Sequence, residues 1–164
     1  MLDHKCLFEL QEYIDFHREQ SKQFEAVFST MIGHNPYPEI EDFIKNNQKP
    51  LFSQILFGLI DKKGVIDTEI YQKAGIDRRH FSKIRSNPKY HPSKNTVVAL
   101  AMVLELDKSD ADDLLRAAGY SLSDSNIFDL VIQFFLENKM YDIHDINQAL
   151  DYFTLKPLLG ELEQ

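Results

Sequence analysis

An all-α fold is predicted for this 164-residue chain, on three observations. Glycine and proline number only six each, too few for a turn-rich β architecture. Apolar residues recur at spacings of three and four through most of the chain, the period of a helix with one buried face. No segment alternates apolar and polar residues as a half-buried strand would. Apolar residues at 43% and charged residues at 27% suit a globular core rather than disorder.

Residues 2–32 contain no proline or glycine and read as helix. Leu7, Leu10 and Ile14 make one apolar stripe, and Phe24, Val27, Phe28, Met31 and Ile32 a second. The polar interval His17–Gln23 leaves open whether this is one long helix or two. Gly33, Pro36 and Pro38 break it, and a short helix at Glu39–Asn46 leads into the polar joint Asn46–Pro50. That joint sets off an N-terminal helical arm, residues 1–48. Phe52, Ile55, Leu56, Leu59 and Ile60 then give an apolar face ending at Gly64. Asp67 or Thr68 caps a helix through Ala74 that buries Ile70, with Gly75 in the left-handed position after it. Asp77 caps the next helix, 77–86, in which Phe81 and Ile84 point inward and which Asn87-Pro88 ends. Pro92-Ser93 opens a helix with Val97, Leu100, Ala101 and Leu104 inward. Asp107 to Gly119 supplies a fifth, with Leu114, Leu115 and Ala118. These five define a domain at 49–121. In the C-terminal extension, 122–164, Ser123 or Asp124 caps a helix at Phe128–Asn138, and a second runs from Asp142 to Phe153. This pair is expected to pack on the domain or on a partner, and Pro157–Gly160 closes the chain.

Charge is distributed unevenly around a formal total of -8. Residues 1–50 carry five basic and nine acidic groups, net -4; residues 51–121 carry eleven and nine, net +2; residues 122–164 carry two and eight, net -6. Between Arg78 and Lys94 stand six basic side chains and no acidic one. Such clustering raises self-repulsion, which a densely anionic partner offsets, and the acidic flanks would face away from it.

The segment from Asp67 to Arg85 resembles the helix-turn-helix of the Cro and phage-repressor (XRE-like) family. Ile70 matches the buried aliphatic of the first helix, Gly75 the turn glycine, Ile76 the apolar residue after it, and Asp77 the cap of the recognition helix. Phe81 and Ile84 match that helix's two inward positions. Pro92-Ser93 and the Leu100-Ala101-Leu104 core extend the likeness, which covers about residues 52–119. Asp67 departs from it, standing where many members carry a DNA-contacting glutamine, and so does Tyr71, where alanine is usual. The resemblance implies a five-helix, lambda-repressor-like domain that binds DNA as a homodimer.

In that geometry Arg78, Arg79, His80, Ser82 and Lys83 face outward toward a major groove, where arginine can pair bidentately with guanine. Lys89, Tyr90 and Lys94 suit phosphate contacts that fix register. The expected function is sequence-specific binding of double-stranded DNA by a transcriptional regulator. The alternative is a protein-interaction adaptor or antitoxin-like regulator, holding a toxin or effector through its terminal helices without touching DNA. No catalytic constellation, phosphate-cradling glycine loop or zinc-protease motif occurs, so neither enzyme activity nor a cofactor is expected. Asp107–Asp113 lacks the mid-loop glycine of a calcium loop and reads as a helix cap. Asp142, His144 and Asp145 read as a solvated helix start rather than as metal ligands. The aromatics Phe8, Phe24, Phe28, Phe128 and Phe135 read as packing surfaces. Cys6 is the single cysteine, which suits a reducing cytoplasm. The first residues show no secretory-signal pattern, and no apolar run is long enough to span a bilayer.

Overall fold

The computed structural model describes residues 4–32 and 36–158, the side chains of 28–32 excepted. Among them are nine helices and no strand. The fold is therefore all-α, as the helical spacing and scarce glycine led us to expect. Gly33, Leu159 and Gly160 and the side chains of Phe28, Met31 and Ile32 fall outside the description.

The contacts divide the chain into two compact units, residues 1–48 and 49–164. The first holds α1 (His4–Ile32) and α2 (Pro38–Asn47). The polar interval at His17–Gln23 does not interrupt α1, which runs as one helix of 29 residues. In α2, proline stands in the first turn, where its missing N–H costs nothing. Lys45 of α2 lies 3.2 Å from Glu25 and 3.0 Å from Glu41. The aromatics expected to pack do not bury themselves here: Phe8 is 65% and Phe24 69% exposed.

The second unit contains α3 (Phe52–Lys63), α4 (Asp67–Lys73), α5 (Arg78–Ser86), α6 (Lys94–Val103), α7 (Lys108–Ala117), α8 (Ile127–Glu137) and α9 (Ile143–Tyr152). The run Val97–Met102 is buried on every side, which makes α6 the central helix; α4, α7 and α9 all pack against it. The extension 122–164 thus completes the same unit as 49–121, with α8 and α9 paired and α8 also against α7. Phe52, Leu56 and Ile60 of α3 and Val131, Ile132, Phe135 and Leu136 of α8 share one continuous core with Ile146, Leu150 and Leu158.

Capping explains most helix starts. Asp77, Ser93, Asp107, Asn126 and Asp142 each accept a backbone N–H from the following turn, removing an orphan donor. The cap of α8 is Asn126, not Ser123 or Asp124; Ser123 instead accepts from the Ser125 backbone. Neither Asp67 nor Thr68 caps α4, which begins after Ile66 without a side-chain cap, so that Asp67 lies inside the first turn. Five helix ends follow one device. Gly75 at φ +62° takes the left-handed position after α4, with Gly75 N–H bonded to Gln72 O and Ile76 N–H to Tyr71 O. The same paired bonds close α6, α7, α8 and α9 at Glu105, Gly119, Lys139 and Thr154.

Candidate nucleic-acid interface

α4 and α5 are joined by the four residues 74–77, and the turn's geometry follows from its chemistry. Ala74 is fully buried, which lets the two helices approach, and the left-handed Gly75 reverses the chain. Asp77 Oδ1 then accepts the Arg79 backbone N–H at 3.2 Å, fixing where α5 begins. Phe81 and Ile84, at 3% and 2% exposure, seat α5 on the core. Tyr71, standing where alanine is usual in the family the segment resembles, is half-buried, with its ring tilted against Phe81 at 5.6 Å between centroids.

The opposite face of α5 presents Arg78, Arg79, Ser82 and Lys83, all exposed. No acidic side chain lies on this helix. Arg85 follows a different course, pairing with Asp67 at the start of α4 and stacking its guanidinium 4.2 Å from the Phe57 ring centroid. Asp67 therefore reaches solvent with its charge offset, and α3, α4 and α5 are tied by one arginine.

His80 is half-buried, its ring edge-on to Tyr90 at 5.3 Å. Its Nε2 is buried and has no hydrogen-bond partner. Burial lowers its pKa below the ordinary value of 6.5; Lys83 lowers it further, and Asp77 pulls the other way. His80 is thus a packed, neutral-leaning ring supporting the connector, not a fully outward group like its neighbours. In the connector, Asn87 Oδ1 accepts the Lys89 N–H at 3.0 Å, and Tyr90 N–H reaches Asn87 O at 3.0 Å. This tight turn leaves the Lys89 side chain exposed. Tyr120 Oη donates to Pro92 O at 2.8 Å, fastening the far end of the connector to the residues after α7.

Lys94 does not belong with the free cations. Its Nζ lies 2.8 Å from Asp129 Oδ2, a carboxylate only 2% exposed in α8, which also accepts the Ser123 N–H at 2.8 Å. Asp129, the one acid among the apolar residues 127–136 of α8, was the available sign that a cation is drawn inward to meet it. The cationic face thus comprises Arg78, Arg79, Lys83 and Lys89, with Ser82 between them and Tyr90 at its edge.

The chain matches no family model, no curated protein and no solved structure. Likeness to the repressor family therefore rests on the landmark residues alone. The Asp142 carboxylate is engaged in capping, accepting the N–H groups of His144 and Asp145 at 2.8 and 3.3 Å. Among the described residues no group of three or more acidic, histidine or cysteine side chains is placed to hold a metal ion, and no helix is long and apolar enough to cross a membrane.

Proposed function

We propose that this chain binds double-stranded DNA sequence-specifically, as a non-catalytic transcriptional regulator, with α4 and α5 acting as a helix-turn-helix and α3–α7 as the five-helix repressor-like domain. One observation carries the reading: α5 is anchored by Phe81 and Ile84 while Arg78, Arg79, Ser82 and Lys83 share its exposed face with no acid among them. Such a face suits major-groove entry, with the N-terminal arginines toward base edges and Lys89 toward phosphate. Four cations on each bound chain correspond to a slope of about -3.6 per chain in log K against log salt, so affinity should drop at least about a hundredfold between 50 and 200 mM salt. Enrichment of genomic fragments on the immobilised chain, then titration of the enriched site with salt, tests this. Arg79→Glu should abolish binding at unchanged helix content; retained affinity, or a salt slope near zero, would refute the reading.

The alternative, a protein-interaction adaptor, is favoured by a groove of about 560 Å³ between α8 and α9 lined by Ile127, Leu130, Phe134, Ala149 and Phe153. Ile127, Phe134 and Phe153 are at least half exposed. Under this reading Phe134→Asp abolishes partner capture, while Arg79→Glu leaves it intact.

A further inference from the structure

No described side chain of α1 is buried, although the helix carries many apolar residues. Those residues follow a register. Leu7, Leu10, Ile14, His17, Ser21 and Phe24 are separated alternately by three and four positions, and the spacing continues in sequence through Phe28 and Met31. That is the a/d repeat of a left-handed coiled coil, which asks for a second helix of matching repeat rather than for a flat surface. Leu7, Leu10 and Ile14 remain 46%, 50% and 37% exposed, so the seam's first half is uncovered within its own unit, residues 1–48.

We infer that α1 pairs with α1 of a second copy of this chain as a parallel two-stranded coiled coil. Size supports that occupant, and the flanking charges set its direction. Four heptads of helix extend about 42 Å, and one side of the seam with its flanks approaches the roughly 800 Å² per partner of a standard interface. In the parallel arrangement Tyr13 comes beside Arg18 of the second copy, and Gln20 beside Glu25, whose charge Lys45 of α2 already offsets, with no like-charge pair. In the antiparallel arrangement Arg18 faces Arg18, a repulsion the parallel form avoids. His17 and Ser21 form a polar mid-section, the kind of layer that fixes register at some cost in affinity. The Tyr13 ring stands edge-on to His17 at 4.2 Å and shields one side of that layer.

The pairing does not rest on DNA binding, and its test is separate. Sedimentation of the whole chain should give a species of twice 19.1 kDa. Leu10→Asp with Ile14→Asp should weaken association at least ~100-fold. His17→Leu with Ser21→Leu, which fills the polar layer, should strengthen it at least ~10-fold. The single cysteine reports direction. Spin labels on Cys6 should lie within reach of two helix axes about 10 Å apart, whereas an antiparallel pair would hold them about 40 Å apart. A monomer at high concentration, a dimer indifferent to both pairs of substitutions, or the long Cys6 distance would each overturn the inference. A dimeric chain that ignores DNA would refute the duplex reading and leave the seam standing.

Discussion

Removing Lys94 should cost the second unit more than removing its partner, and the difference is set by burial. Asp129 is 2% exposed; its Oδ2 receives Lys94 Nζ and the Ser123 N–H, and its Oδ1 has no partner. Lys94→Met would leave that carboxylate with a single backbone donor in an apolar setting. Stripping one member from a buried pair costs about 3–5 kcal/mol, and the lower end applies because the ammonium side is 28% exposed. Asp129→Ala instead leaves a lysine that can swing to water. It forfeits one charge-assisted bond and one backbone bond but also the cost of burying the carboxylate, so about 2 kcal/mol is expected. The double variant should cost at least ~1.5 kcal/mol less than the sum of the singles, since it leaves no buried charge unpaired. Urea unfolding followed by circular dichroism measures all three. In a unit of this size, 3 kcal/mol corresponds to about 10 °C or more in Tm. Additive singles, or a Lys94→Met cost below that of Asp129→Ala, would show that Asp129 is not held dry by this contact.

Three further outcomes are expected. Thr154 is a β-branched residue at φ +60°, exposed, in the left-handed position after α9; Thr154→Gly should stabilise by ~0.5–1 kcal/mol, and a loss of stability would contradict the strain argument. His80, with its pKa lowered chiefly by burial, binds fewer protons folded than unfolded just below pH 6.5. Stability is therefore full above that pH and is lost as the pH falls toward the depressed folded value, and His80→Gln should flatten the acid limb of thermal melts. Arg85→Ala should cost ~1 kcal/mol through the Asp67 pair and the Phe57 stack, whereas Arg78→Ala should leave melting unchanged; equal effects would mean that Arg85 is not a tie.

Helix positions were legible because period and punctuation agreed. Gly64, Gly75 and Gly119 stop α3, α4 and α7 in left-handed conformations only glycine adopts cheaply, and Asp77, Ser93 and Asp142 sit where an orphan N–H needs an acceptor. The inward pair Phe81 and Ile84 was equally plain. What escaped was pairing across distance. Arg85 and Asp67 are eighteen residues apart and Lys94 and Asp129 thirty-five, so a run of like charge looked uniformly free when two of its members were committed. Left-handed ends at Glu105, Lys139 and Thr154 left no trace in composition, because the tertiary fold imposes them on residues that do not favour them. The C-terminal pair could not be assigned to core or partner from its own apolar stripe, since the stripe is the same in either case.

Division of labour within α5 has a consequence for how this chain can change. Phe81 and Ile84 seat the helix on the core and Arg85 ties it to α3 and α4, while the side chains at 78, 79, 82 and 83 hold nothing. Substitutions at those four positions therefore carry almost no folding penalty, and the segment behaves as an exchangeable cassette. Its outward chemistry can be rewritten, by selection or by an engineer, while the scaffold beneath it goes on folding as before.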